Sequence, residues 1–185
     1  MPSRDPDTQA VVAGREEEFE LLVRSTYGDV LAYALRRSDR PMAEDVAADV
    51  FVVAWRRRHS IPDEPLPWLY GVARRTLANR RRSVRRSDAL RMKLELVTPR
   101  VSVLDDSGAD AAIRALNELS DSDQELLRLI AWEELSPREA ATALGVSVAS
   151  FRVRLHRARN RFTRAMSTTE VVPLDSEEQR RCDAS

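Results

Sequence analysis

Three observations predict an all-α fold of two small helical domains joined by a flexible linker. Apolar residues recur at steps of three and four wherever the sequence is patterned. No stretch alternates with the period of two that a half-buried strand requires. A turn-rich stretch without periodicity separates two patterned halves. The 185 residues are 43% hydrophobic but only 5% aromatic. That composition supports one or two thin helical cores and suits a sheet sandwich poorly.

The elements follow in chain order. Residues 1–14 are polar and proline-bearing and are expected to be disordered. The first domain, residues 15–92, opens with Phe19, Leu22 and Val23, then Val30, Leu31, Ala34 and Leu35, with Gly28 as a break or kink between two short helices. A second helix over Met42–Arg58 buries Val46, Val50, Val53 and Ala54. Beside that stripe, Asp45, Asp49, Val52 and Arg56 line up at steps of four, three and four. The loop between His59 and Trp68 is stiffened by Pro62, Pro65 and Pro67. A third helix, starting near Trp68, turns Leu69, Val72, Ala73 and Leu77 inward and carries Arg74, Arg75, Arg80, Arg81, Arg82, Arg85 and Arg86. Residues 93–110, clearest from Thr98 to Asp110, are the linker.

The second domain, residues 111–166, begins with Ala112, Leu116 and Leu119, and Ser120 caps a helix with Leu126, Leu127 and Ile130 inward. Ser136-Pro137-Arg138-Glu139 is a capping box with proline at the first helical position. The helix "PREAATAL" ends at Gly145, which tolerates a left-handed turn, and Ser147 caps the next helix. This is a helix-turn-helix. Phe151, Leu155, Ala158 and Phe162 face inward, while Arg152, Val153, His156, Arg157 and Asn160 share another face. Such a face enters a major groove, where arginine pairs bidentately with guanine. Ser150, Arg154, Arg159 and Arg161 are placed to meet phosphates. Residues 167–185 are a polar tail.

Formal net charge is zero, so nucleic-acid contact has to come from local clustering of charge. The lone cysteine, Cys182, forms no disulfide framework or CxxC site within the chain and fits a reducing cytosol. No apolar run approaches the roughly 20 residues of a membrane helix, so no membrane insertion is expected. The two histidines lie far apart, and no phosphate loop, HExxH or GxSxG occurs. An enzyme is therefore not expected, and no metal or cofactor is called for.

Three segments carry a resemblance to a known family. "AEDVAADVFVVAWRRR" resembles the polymerase-binding helix of sigma region 2, and "PWLYGVARRTLANRRR" resembles the helix that reads the −10 promoter element. "ALNELSDSDQELLRLIAWEELSPREAATALGVSVASFRVRLHRARNRF" resembles region 4, which reads the −35 element. In order and spacing the set is similar to the extracytoplasmic-function (ECF) sigma factors of the sigma-70 family of bacterial RNA polymerase. The resemblance implies a cytoplasmic protein that binds core RNA polymerase and promoter DNA and helps melt the −10 region. Its polymerase partners would be the clamp helices of the largest subunit and the flap of the second-largest, and an anti-sigma factor would hold it inactive.

The resemblance also assigns residues. Asp45, Asp49, Val52 and Arg56 would face the polymerase, with Ala48 where a glutamine is usual. Pro62, Trp68, Arg74, Arg75, Asn79 and Arg80 would meet the −10 element, although Arg75 replaces a common asparagine and Trp68 fits a core position as well as a base-stacking one. Ser150, Arg152, Val153, His156, Arg157 and Arg161 would meet the −35 element. Two other functions fit parts of the pattern: a helix-turn-helix regulator acting without polymerase, and a helical protein–protein adaptor.

Overall fold

The computed structural model describes residues 6–91 and 108–169, with side chains over 16–84, 86 and 111–168. Seven α-helices are found among the described residues, with no strand. In chain order they are α1 (Pro6–Leu35), α2 (Arg40–Arg56), α3 (Pro65–Arg91), α4 (Gly108–Glu118), α5 (Asp121–Ala131), α6 (Pro137–Leu144) and α7 (Val148–Thr169). Helices α1–α3 build one compact unit; α4, α5, the first half of α6 and α7 build a second.

The core of the first unit is made mostly of small side chains. Val30 and Ala34 of α1 meet Ala43, Val46, Ala47, Val50 and Ala54 of α2 and Leu69, Val72, Ala73 and Leu77 of α3, all buried. Short side chains let helix axes approach closely, and three aromatic pairs join the helices, one in the core and two toward its surface. Tyr33 stacks on Tyr70 with ring centroids 4.8 Å apart, and Tyr27 on Phe51 at 5.9 Å. Phe19 meets Trp55 edge-on at 5.0 Å. Such pairs add about 0.5–1.5 kcal/mol each beyond their buried area. Arg37 is buried at the end of α1, its guanidinium 3.6 Å above the Tyr33 ring and its Nη1 donating to the Tyr33 carbonyl at 2.9 Å. Arg81 donates in turn to the Arg37 carbonyl, which ties α3 to the end of α1.

Several boundaries differ from those expected, each for a physical reason. Helix α1 begins at Pro6, so the expectation of disorder through residue 14 is corrected. "AVVA" favours a helix, and Gly14 lowers helix stability by only about 1 kcal/mol relative to alanine. Gly28 does not divide the stretch into two helices; α1 runs through it. Helix α2 starts two residues before Met42 because Asp39 caps it, accepting from the Met42 amide at 3.1 Å. It stops at Arg56, where the Arg57 amide turns to the Val53 and Ala54 carbonyls and a short 3-10 turn follows over Arg58–Ser60.

The expected proline loop is shorter than the sequence suggested. Pro65 and Pro67 lie in the first turn of α3, where an amide hydrogen has no intrahelical partner to lose. Only Pro62 stays in the loop. In the linker, Gly108–Asp110 belong to α4; residues 93–107 lie outside the described residues. In the tail, Ser167–Thr169 complete α7, and 170–185, including Cys182, lie outside them.

The second unit packs Ala115 and Leu116 of α4, Leu126 and Leu129 of α5 and Phe151, Leu155 and Ala158 of α7. Leu129 takes the fully buried place on α5, while Leu127, Ile130 and Phe162 are half-buried. Asp123 shares that inner face. It is buried at the third position of α5, where its amide donates to Ser120 Oγ at 3.2 Å and its carboxylate accepts from Arg161 Nη1 at 2.7 Å. A polar pair thus sits on the inner face beside Leu126 and Leu129.

Between α5 and α6 the backbone holds Glu134 at φ 52°, in the left-handed region. The Glu133 amide reaches the Arg128 carbonyl and the Leu135 amide reaches that of Leu129. Left-handed geometry costs an L residue about 1–2 kcal/mol that glycine does not bear. Glu134→Gly is expected to raise the thermal midpoint, and Glu134→Val to lower it. Equal midpoints in the two variants would mean that no strain resides at this turn.

Candidate nucleic-acid and polymerase interface

The helix-turn-helix forms through local bonds that the sequence prescribes. Ser136 and Glu139 bond reciprocally: the Ser136 amide donates to Glu139 Oε2 at 2.7 Å, and the Glu139 amide to Ser136 Oγ at 3.3 Å. Side-chain and backbone bonds from Ser136 hold the Glu139 carboxyl below its usual range. Gly145, at φ 67°, ends α6 with its amide on the Thr142 carbonyl. Ser147 then caps α7, accepting from the Ser150 amide at 3.2 Å.

On α7 the expected reading face is exposed. Arg152, His156, Arg157 and Asn160 project to solvent with Val153, which is 52% exposed, and Ser150 lies half-buried at the start. The Asn160 amide nitrogen lies 3.2 Å from His156 Nε2, one turn away. Val153, Arg157, Asn160 and Arg164 run at steps of four, three and four, so exposed Arg164 extends the face by a turn. That cation was not singled out from the sequence, though its spacing carries the signal. Arg161 goes elsewhere. Its bond to buried Asp123 fastens α7 to the first turn of α5, so it serves the fold where a phosphate contact was expected.

The first unit carries a second basic face. Arg75, Asn79, Arg82 and Arg86 repeat at steps of four, three and four along α3, and all are exposed. Arg82 Nη2 donates to Asn79 Oδ1 at 2.6 Å, which orients the amide. Partial burial, then the charges of Arg74 and Arg57, depress the Arg75 pKa from its ordinary value. Three cations therefore converge near the end of α2 and the middle of α3, an arrangement that favours an anionic ligand. Trp68 is half-buried in the second turn of α3, and Pro62 is exposed in the preceding loop.

The acidic stripe of α2 is present as expected. Asp45, Val52 and Arg56 are exposed and Asp49 is half-buried. What spacing did not reveal is its partner. Arg80, expected among the −10 residues, reaches across from α3. Its Nη1 donates to Asp45 Oδ2 at 2.8 Å, and its Nη2 and Nε donate to Asp49 Oδ2 at 2.6 and 3.0 Å. The hydrogen bond to Asp49 and the charges of both carboxylates hold Arg80 above its ordinary pKa. One guanidinium thus joins the acidic stripe to the basic helix.

The chain is similar to known proteins. Residues 22–87 match the family description sigma-70 region 2, and residues 109–162 match sigma-70, region 4. The chain is similar to the RNA polymerase sigma-E factor of Streptomyces avermitilis, 31% identical over 179 residues that cover 92% of this chain and 98% of that one. It is 30% identical over 161 residues to the ECF RNA polymerase sigma factor SigL of Mycobacterium tuberculosis, covering 80% and 91%. Among solved structures, the sigma factor RpoE from Bartonella quintana, in complex with the anti-sigma factor NepR, has a like fold, with a TM-score of 0.62 and 22% identity over 82% of this chain and 98% of that one. CnrH, in complex with the cytosolic domain of CnrY, gives a TM-score of 0.57 at 25% identity, covering 84% and 92%.

The position of Arg161 makes a distinct demand. Breaking a fully buried ion pair costs about 3–5 kcal/mol by leaving one charge unpaired. The Asp123 side chain is 8% exposed but that of Arg161 is 56% exposed, so solvent recovers part of the loss. Arg161→Ala is expected to lower unfolding stability by about 1–2 kcal/mol, read as a shift of the urea midpoint at constant slope. An unchanged midpoint would return Arg161 to the phosphate-binding set.

Proposed function

The chain belongs to the extracytoplasmic-function group of the sigma-70 family and is a sigma factor of transcription initiation, and from that premise we propose a division of labour between its two units. The first docks on core RNA polymerase through α2 and engages the −10 element through α3. The second reads the −35 element through α7. The observation that carries this reading is the pair of exposed basic faces, Arg75–Asn79–Arg82–Arg86 on α3 and Val153–Arg157–Asn160–Arg164 on α7, each on a separate unit.

On the polymerase side, Asp45, Asp49, Val52 and Arg56 offer an acidic and apolar strip to the clamp helices of the largest subunit. Asp45 is the better placed carboxylate, since its side chain is 64% exposed even while bridged to Arg80. The flap of the second-largest subunit is the partner proposed for the second unit. An anti-sigma factor is a further partner, as NepR is for the similarly folded sigma factor RpoE. The protein acts in the cytoplasm, where its polymerase is; no described helix is long and apolar enough to cross a membrane.

At the −10 element the work is to hold a base outside the stack. Extrusion costs a few kcal/mol of unstacking, which a pocket has to offset. Pro62 limits the freedom of the loop before α3, and half-buried Trp68 lies close enough to the surface to take part in such a pocket. Asn79, oriented by Arg82, presents an amide to the separated strand, while Arg75 and Arg86 neutralise its phosphates.

At the −35 element Arg152 and Arg157 are the candidates for bidentate contact with guanine, and Val153 for contact with a thymine methyl. His156 and Asn160 lie between them on the same face. Arg159 and Arg164 are suited to phosphates on the flanks of the groove.

Two experiments test the division. Charge reversal at Asp45 leaves Asp49 to hold Arg80, and with the Asp45 side chain 64% exposed the new cation can turn to solvent at a small cost in stability. Asp45→Arg is expected to weaken core-polymerase binding with little change in the unfolding midpoint, because like charges across an interface cost several kcal/mol. Wild-type affinity for core enzyme in that variant would remove α2 from the interface.

The second experiment compares two arginines of equal charge on α7. Arg157→Ala is expected to cost about 1–3 kcal/mol on the preferred −35 sequence and to relax preference at one position. Arg164→Ala should weaken binding evenly across sequences and flatten the salt dependence by about one unit of slope. Equal losses on every −35 sequence would make α7 a phosphate clamp and not a reader.

A further inference from the structure

Within the face Arg75–Asn79–Arg82–Arg86 of α3, one side chain is neutral. Asn79 alone in that set is able both to donate and to accept a hydrogen bond. Arg82 decides which of the two it offers. The Arg82 Nη2 lies 2.6 Å from Asn79 Oδ1, and both side chains are exposed. A guanidinium has N–H donors and no acceptor, so the amide atom it meets is the oxygen. The amide nitrogen then lies on the other side of the planar group, with its N–H bonds turned away from Arg82. Arg75, one turn before Asn79, is donor-only as well and cannot take those N–H groups.

The charge of Arg82 sharpens this polarity. A cation at the amide oxygen draws electron density toward it and strengthens the N–H donors at the other end. The oxygen, by contrast, is guarded. A second donor that approaches it, such as the N6 amino group of adenine, comes up against the Arg82 guanidinium. The bidentate grip of asparagine on adenine uses both amide atoms, one for N6 and one for N7. Arg82 takes away half of that grip, and the pair that remains only donates. Thymine, through O4, and guanine, through O6 and N7, present acceptors to such a pair. A separated strand leaves these edges open, because its bases have lost their partners.

We infer that Arg82 is a positioning residue for base selection on α3: it fixes Asn79 as a donor, and Asn79 then selects a carbonyl-bearing base, thymine or guanine, over adenine. The inference rests on the reading of α3 as the helix that engages the −10 element. To that reading it adds the sign of the selection and the residue that sets it. Arg82 acts through the amide and not on the base.

The test uses the full chain in holoenzyme with core RNA polymerase and a library of single-stranded DNA of randomised sequence, with the bound strands sequenced. In the wild type, one position of the bound strands is expected to favour thymine or guanine over adenine by about five- to tenfold, the worth of one well-made hydrogen bond. Asn79→Asp keeps an acceptor for Arg82 but presents no donor, so the preference at that position should reverse toward adenine. Arg82→Gln keeps a donor for Oδ1 without the charge, so total binding should fall while the preference stays. Arg82→Ala frees the amide to turn, and the preference should flatten. Arg86→Ala removes the same charge one turn further on and should leave the preference as it is. In the free chain, the side-chain amide signals of Asn79 should shift with Arg82→Ala and not with Arg86→Ala.

Identical base preferences in Arg82→Ala and Arg86→Ala, with Asn79→Ala still altering the profile, would overturn the inference and leave α3 as the −10 helix. An Asn79→Asp profile equal to the wild type, or Asn79 amide signals unmoved by Arg82→Ala, would overturn it as well. An Asn79→Ala profile unchanged at every position would remove both the inference and the base-reading role of Asn79 beneath it.

Discussion

Arg80 satisfies two carboxylates at once, and the surface chemistry of the first unit follows from that pairing. Asp45 and Asp49 are one turn apart on α2, and unpaired they would repel each other. Two N–H groups of Arg80 on Asp49 Oδ2 and a third on Asp45 Oδ2 neutralise part of that repulsion and tie α3 to α2 at this point. The planar guanidinium allows both contacts, which a lysine ammonium could not reproduce in the same geometry. With Arg80 committed inward, the outward charge of α3 is left to Arg75, Arg82 and Arg86. The acidic strip and the basic helix thus share one residue, and anything that pulls the carboxylates away also loosens a cation on α3.

The second unit uses the same device with different burial. Arg161 crosses to Asp123, but here the acid is buried in the first turn of α5, where the helix dipole also favours a negative charge. Both bridges join residues far apart in sequence, 31 and 35 residues for Arg80 and 38 for Arg161. Both take an arginine that helical spacing would have counted as available to phosphate.

This sets the limit on what could be read from the chain alone. The all-α fold was legible because its signals are local. Ser136 and Glu139 form a capping box within four residues, Gly145 is the turn residue that α6 requires, and Val46, Val50, Leu69 and Ala73 recur with the helical period. The exposed acidic stripe of α2 and the exposed basic face of α7 were legible for the same reason. Arg80 and Arg161 were not, since no spacing rule says which cation a distant acid will claim. Pro65 and Pro67 misled because proline breaks a helix interior yet suits its first turn, and only the position of the turn decides between the two. Leu129 was missed because an acid, Asp123, shares the inner face of α5, which apolar spacing alone does not anticipate.

The coupling of the two faces through Arg80 is tested most directly by a double-mutant cycle on unfolding free energy, with Asp49→Ala, Arg80→Ala and the two combined. The side chains are 34% and 48% exposed, so solvent screening reduces the coupling to the range of partly exposed pairs. A coupling energy of about 0.5–1 kcal/mol, falling as salt is raised, is the expected result. Additive single losses, with no coupling at low salt, would contradict the account and return Arg80 to the free cations of α3.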